Sequence, residues 1–309
     1  MISESKKITT AGLPLAKLTG AGNDFLVIDW RDGEVRRRFK KIFRSATRAN
    51  AARRLCRSHF SIGADGLLFL ENSKIANVKW DFYNADGSRA EMCGNAARVV
   101  GLYEQMHSPR SEISTALTLE TRAGVVTVSN EGKTGGNFRV EMPAISEFEL
   151  GLAAPRAKDD RFRKLQFDYV NSGVPHAVVY VPRAKNIRSL ENTVDNLVDV
   201  VDNIRALPKF KKHGTNVTFY ATSDGRGPAK SKSANIASLT FERGVLGYTL
   251  ACGTGAVAAA YSFSTKRSQS TSFVRVRVPG GHLQVDFKTA RPQLIGPAQF
   301  IARSLYYEP

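Results

Sequence analysis

Apolar residues along this chain fall into short runs that alternate or fill with β-branched and aromatic side chains. Two stretches break the rule, with apolar positions three and four residues apart. LTGAGNDFLVID (18–29) predicts a strand, as do IGADGLLFLE (62–71) and VKWDFYN (78–84), and LTLETRAGVVTVS (117–129) with FRVEMP (138–143) predicts hairpin segments. Phe39, Ile42, Phe43 and Ala46 keep helical spacing inside residues 36–57, which predicts one amphipathic helix. The scheme then recurs. LQFDYVNSGVPHAVVYVP (165–182) predicts a strand pair or one long strand, and Leu190, Val194, Leu197, Val198, Val201 and Ile204 mark a helical stripe. NVTFYATS (216–223) and SLTFERG (238–244) predict strands, and VRVRVPGGHLQVDF (274–287) a hairpin turned at Gly280 and Gly281. The polar, glycine-rich segment 222–237 predicts a flexible loop, and GLAAPRAKDDRFRK (151–164) a boundary.

This recurrence has a chemical marker. EMCGNAARVVGLY (91–103) and LACGTGAVAAAY (250–261) each set a cysteine and a glycine at the start of a helix rich in small residues, about half a chain apart. Their surroundings match without gaps, so that Phe82 and Asn84 fall on Phe241 and Arg243. A duplicated unit implies two similar bodies whose equivalent residues meet across an axis. The expected fold is α+β, two homologous α/β halves, 1–152 carrying Cys93 and 153–309 carrying Cys252, with the active site in the cleft between them.

Composition narrows the partners. With 42% hydrophobic and 24% charged residues the chain of 309 is an ordinary globular one. It has no apolar run long enough to span a bilayer and no signal-peptide core at its start, so a cytoplasmic protein without a membrane partner is expected. Three cysteines without a repeating spacing indicate reduced thiols, and the Cys56/His59 pair lacks the third ligand that a zinc site needs. The net charge of +17 raises the question of a nucleic acid. Ten Lys or Arg and no acid lie in 36–57, but the apolar stripe beneath them makes this a solvated helix face, and no nucleic-acid partner is expected.

A cysteine at a helix start meets unpaired N–H groups and a partial positive charge, which favour its thiolate and lower its pKa. Glycine beside it lets backbone amides approach a carboxylate. An α-amino acid placed between two such thiols loses its α-proton to one and receives a proton from the other on the opposite face, which inverts the stereocentre. No P-loop is present, and GAGND (20–24) lacks the third glycine of a dinucleotide fingerprint, so the expected chemistry uses no cofactor and no metal.

These residues resemble the diaminopimelate epimerase family, the cofactor-independent enzymes that interconvert LL- and meso-diaminopimelate on the route to lysine and peptidoglycan. The resemblance runs through GAGNDF (20–25), IGADGLL (62–68), FYNADGSRAEMCGNAAR (82–98), GVPHAV (173–178), GTNVTF (214–219), ERGVLGYTLACGTGA (242–256) and GPAQFI (296–301). It implies Cys93 and Cys252 as the acid–base pair, with His176 and Glu242 setting their protonation. It implies Gly94, Asn95, Gly253 and Thr254 around the reacting carboxylate, and Asn23, Asn84, Asn216, Glu242 and Arg243 on the distal amino-acid group. Two positions depart from the family pattern: Val174 stands where members often carry a substrate-contacting Asn, with Asn171 nearby, and Gly66 where many carry Gln. Proline or hydroxyproline racemases and the phenazine-type isomerases share the two-body plan and remain the alternative reading. Glu242, Arg243 and the three asparagines argue for a substrate with a second polar end. A homodimer is the default assembly for such enzymes.

Overall fold

The computed structural model describes residues 12–107, 116–131, 136–155, 165–243, 247–267 and 271–307. The first strands are β1 (Leu13–Gly20) and β2 (Asn23–Asp29), joined where Ala21 and Gly22 adopt φ of 56° and 91°. Two consecutive left-handed residues make the tight turn whose twist suits a hairpin, so 18–29 forms two strands where one was expected. The basic segment also divides. Asp32 caps α1 (Gly33–Phe43), the chain reverses at Arg44 with φ 45°, and Thr47 caps a second helix, α2 (Arg48–Leu55). One helix was expected through 36–57; the second cap and the left-handed Arg44 end it early.

Then come β3 (Gly66–Glu71), β4 (Val78–Asn84), α3 (Gly94–His107), β5 (Ala116–Thr121), β6 (Gly124–Asn130), β7 (Asn137–Glu141) and β8 (Glu147–Ala153). The second series is β9 (Gln166–Asn171), β10 (Pro175–Tyr180), α4 (Ile187–Val194), α5 (Val198–Arg205), β11 (Asn216–Thr222), β12 (Asn235–Phe241), α6 (Gly253–Lys266), β13 (Phe273–Val278), β14 (Gly281–Asp286), β15 (Gln293–Pro297) and β16 (Gln299–Tyr306). The helical stripe at 190–204 is interrupted by a 3-10 turn at Asp195–Leu197, which shifts its phase. Val198, expected inside, is 44% exposed, and Val200 is buried instead. The 274–287 hairpin turns at Pro279 and Gly280, because Val278 pairs with Gly281. The polar segment at 222–237 holds a loop with one 3-10 turn at Pro228–Lys230, flanked by the end of β11 and the start of β12. Of the boundary segment, 156–164 lie outside the described residues.

Among the described residues one 16-stranded sheet runs β16-β1-β2-β3-β4-β5-β6-β7-β15-β14-β13-β12-β11-β10-β9-β8. Read from either end, the sequence of parallel and antiparallel pairings is the same. The outermost strands are exchanged: β16, last in the chain, pairs with β1, and β8 pairs with β9. Each half of the sheet curls around its own helix. Strands β1, β2, β6, β7, β15 and β16 touch α3, and β9 to β14 touch α6. Both helices are buried nearly all round, which suits their Ala, Gly and Val content. Strand residues alternate between this inner core and an outer layer. On β2, Phe25 and Val27 face inward, while Leu26 and Ile28 pack under α1 and α2. In the second half, Val179, Val217 and Phe219 pack under α4 and α5 in the same way.

Candidate active site

Helices α3 and α6 are both 14 residues long, and each begins directly after a cysteine. The Cys93 carbonyl accepts from Ala97 N–H at 2.9 Å and the Cys252 carbonyl from Ala256 N–H at 2.9 Å, which makes each cysteine the cap of its helix. The two helix starts are neighbours. A Cβ built on Gly253 would lie 4.0 Å from the Gly94 Cα, and Cβ atoms on both glycines would press on the same Leu294 methyl, at 3.0 and 3.1 Å. Met142, wholly buried, closes the other side of this wall. A side chain at either glycine would crowd Leu294, and at Gly94 also Met142.

Polar contacts join the halves at the same place. Asn95, on α3, donates to the Ala251 carbonyl at 2.9 Å and to Asn23 Oδ1 at 2.6 Å. The β1–β2 turn reaches across as well: a Cβ on Gly280 would sit 1.9 Å from the Ala21 carbonyl oxygen, and Gly280 N–H donates to the Leu250 carbonyl. Only glycine fits there.

Around Cys252 the side chains are polar. Its sulfur accepts from Gly255 N–H at 3.3 Å and lies 3.5 Å from Thr254 Oγ1, which in turn is 3.0 Å from His176 Nε2. Arg243 N–H donates to Asn216 Oδ1, so the Asn216 amide nitrogen faces His176 Nε2, at 3.3 Å. That nitrogen therefore accepts, the proton sits on Nδ1, and Nδ1 donates to Thr218 Oγ1 at 2.9 Å, which bonds Thr240 at 3.0 Å. Burial, with Arg243 adding to it, pushes His176 down to about 3, so the imidazole is neutral. Ser172, on the β9–β10 turn, donates to the Thr254 carbonyl at 2.9 Å and steadies this helix start.

Both thiols are half-buried and free. A lowered pKa was expected for them, and the opposite holds. Burial pushes Cys93 up while the N–H groups of Ala96 and Asn95 pull it down; burial pushes Cys252 higher still, with Glu242 adding to it. Removing a thiolate from water outweighs the helix-start amides in both places. Glu242 acts on both sulfurs, which puts its carboxylate near each, and Thr249 donates to it at 2.8 Å. Cys56 is different. It lies in the outer core under α2, 3% exposed, its thiol pushed up to about 12 by burial.

The other expected residues sit at or just beyond strand ends. Asn23 begins β2 and donates to Asp65 at 3.0 Å; Asn84 ends β4, pairs in register with Gly66 and donates to Ser88 at 3.0 Å. Asp65 joins the two, since Ala85 N–H donates to its carbonyl. Arg243 is exposed and bonds the His213 carbonyl, while Gly244, Val245 and Leu246 beyond it lie outside the described residues. The Asn95 amide is taken up by Asn23, Ala251 and Arg98, which leaves its backbone N–H for the Cys93 sulfur. A side chain at Gly66 has no room, because a Cβ there would meet Phe82 at 2.6 Å. Val174 is half-buried, and Asn171 Oδ1 accepts from Gly173 N–H. Sequence reasoning missed Ser172, Thr218, Thr240, Asp65 and Arg98. The threonines left a trace, as polar residues on otherwise apolar strand faces where the first half has Leu68 and Phe82; in the sheet Phe82 is equivalent to Thr240 and Tyr83 to Phe241, one residue off the gapless match expected from the sequence.

Comparison with known proteins agrees with this layout. A family model described as diaminopimelate epimerase matches residues 15–144 and 168–301, one block in each half. A protein of Hydrogenobaculum sp. named diaminopimelate epimerase is 32% identical over 290 residues, covering 92% of this chain and 94% of that one. One of the same name from Aquifex aeolicus is 33% identical over 276 residues, covering 88% of each. Among solved structures, a phenazine biosynthesis protein of the PhzF family from Bacillus anthracis superposes with a TM-score of 0.65 at 13% identity, covering 96% of this chain and 99% of that one. A probable proline racemase from Agrobacterium radiobacter gives 0.62 at 16% identity, covering 96% and 93%.

Proposed function

The chain belongs to the diaminopimelate epimerase family, and from that premise we propose that it interconverts LL- and meso-2,6-diaminopimelate by moving protons between Cys93 and Cys252. The observation that supports this best is the meeting of two equivalent helix starts, each capped by a cysteine, across Gly94 and Gly253. A carboxylate set against the amides of Gly94, Gly253 and Thr254, beside Asn95, receives hydrogen bonds from both helices. These amides hold the charge that moves onto it when the α-carbon is deprotonated.

One thiolate takes the α-hydrogen: the C–H bond breaks, an S–H bond forms, and the electron pair spreads into the carboxylate. The opposite thiol then gives its proton to the other face and is left as thiolate. Atoms and charge balance without a cofactor. Bound substrate also brings an α-ammonium close to Glu242, which relieves the repulsion between that carboxylate and a thiolate. His176 acts through Thr254: the hydroxyl donates to Nε2, which leaves its oxygen to accept from the Cys252 thiol. Asn23, Asn84, Asn216 and Arg243 are assigned to the distal zwitterion, where an unmatched substrate would leave charges without partners, while Glu242, also expected there, serves the reacting end. A reducing, cytoplasmic setting suits a reaction that needs both thiols free. No helix among the described residues is long and apolar enough to cross a membrane.

The likeness to the proline racemase is one of fold. The test is incubation of the reduced protein with LL-diaminopimelate in deuterated water, followed by NMR. Loss of the α-hydrogen signal with formation of the meso isomer supports the assignment; exchange with proline and none with diaminopimelate overturns it.

A further inference from the structure

Arg98 lies one turn into α3 and is wholly buried. Its guanidinium donates to Asn95 Oδ1 at 2.7 Å, to the Pro297 carbonyl at 3.1 Å and to the Gly94 carbonyl at 3.4 Å. Among the described residues no carboxylate pairs with it. A buried cation held only by neutral oxygens is an uncommon arrangement, since desolvation of a charge is strongly unfavourable unless something offsets it. Burial lowers the Arg98 pKa to about 10, and the one ionisable group that opposes this is Cys93. At the equivalent turn of α6 the chain has Val257, wholly buried and apolar. At this turn the duplicated helices thus differ by an interior charge.

We propose that Arg98 is a positioning residue whose charge, hydrogen-bonded to Gly94 and Asn95 directly after Cys93, favours the Cys93 thiolate, so that Cys93 gives up its proton before Cys252. The charged and polar surroundings of each sulfur agree. Cys93 has the Asn95 and Ala96 amides and Arg98 on its own helix, and across the cleft Glu242, which follows β12. Cys252 has the Gly255 amide and the Thr254 hydroxyl, with the same Glu242 opposing its ionisation and a neutral His176 behind Thr254. Glu242 burdens both sulfurs; Arg98 favours one. Under the proposed reaction this makes Cys93 the first base, and each turnover leaves the pair in the reversed state, to be reset by proton exchange with water.

The inference rests on the proposed function only for that last consequence. Its test does not need turnover. Iodoacetamide alkylation of each cysteine is followed by peptide mass spectrometry across a pH series. The midpoint is read, not the absolute rate, because access to the two sulfurs differs. In the unmodified protein Cys93 is expected to titrate below Cys252, while Cys56 stays unreactive until unfolding; the reverse order overturns the proposal. In Arg98→Met the Cys93 midpoint is expected to rise by about one unit, which cuts its thiolate about tenfold near neutrality, while the Cys252 midpoint stays in place. Arg98→Lys, which keeps the charge, is expected to keep the Cys93 midpoint within about threefold in thiolate. An unchanged Cys93 in Arg98→Met, equal movement of both thiols, or a lysine variant that behaves like the methionine one each overturns it. If the methionine variant does not fold, the order of the two midpoints in the unmodified protein decides.

Discussion

The two halves place the same backbone around different chemistry. On β2 and β10, Phe25 and His176 occupy equivalent positions, opposite Gly66 and Asn216. Two residues along the neighbouring strands, Leu68 pairs with Phe82 in the first half and Thr218 with Thr240 in the second. Beneath Cys93 the result is an apolar floor, with Phe25 and Phe82 edge to face at 5.8 Å. Beneath Cys252 a chain of hydroxyls and an imidazole takes that space. A duplicated fold therefore fixes where two thiols stand without making them equal. Their difference is written in the side chains one layer down.

The strongest way to break this comparison is to remove either sulfur. Cys93→Ala and Cys252→Ala are each expected to lower inversion of LL-diaminopimelate by about 10²–10⁴-fold or more, since each removes one face's acid or base. Should one variant epimerise at a near-normal rate in a polarimetric or NMR assay, the two-thiol reading fails. The next effects are on stability, measured by urea unfolding. Leu68→Ala is expected to destabilise by about 2–5 kcal/mol, the range for a large buried side chain cut down in a packed core. Thr218→Val leaves His176 Nδ1 without its acceptor and is expected to lose about 1–3 kcal/mol. Equal tolerance of Thr218→Val and of a Thr-for-Leu68 exchange would show that the two floors are interchangeable.

A sharper probe uses the helix starts. Ala96 fits beneath Cys93, but a Cβ at Gly255 would meet Thr240 Oγ1 at 2.3 Å and Thr218 Oγ1 at 3.2 Å. Gly255→Ala is therefore expected to destabilise by about 1–3 kcal/mol and to lower activity with it. A separate effect concerns acid. The folded protein holds His176 neutral down to about pH 3, whereas an unfolded chain protonates it near its ordinary value of 6.5. Between these values the unfolded state binds more protons, so stability rises with pH there and is lost as pH falls. His176→Gln removes that contribution and is expected to flatten the stability difference between about pH 4 and about pH 7. An unaltered slope would mean that His176 does not stay neutral in the fold.

Much of the site was legible before the fold was known. The repeat, the cysteines at its equivalent points and the glycines after them are local signals, and they placed Cys93, Cys252, Gly94 and Gly253 correctly at two helix starts. Periodicity located most strands. It misjudged 18–29 and 36–57 because a left-handed residue, at Ala21 and at Arg44, reverses the chain without breaking an apolar pattern. It gave no warning of β8, β15 or β16; β8 and β16 lie at the sheet's ends, β8 exposed along nearly its whole length and β16 at every second residue.

The sequence by itself determined the duplication, the helix-start thiols and the family, because these depend on residues near each other in the chain or on spacing that is kept. Tertiary structure alone decided which way each thiol leans. Arg98 reaches Pro297 and Asn95 reaches Ala251 across most of the chain's length, and Glu242 sits near both sulfurs only once the halves close on each other. Charge and desolvation depend on distance in space, and distance in space is what a linear sequence does not state.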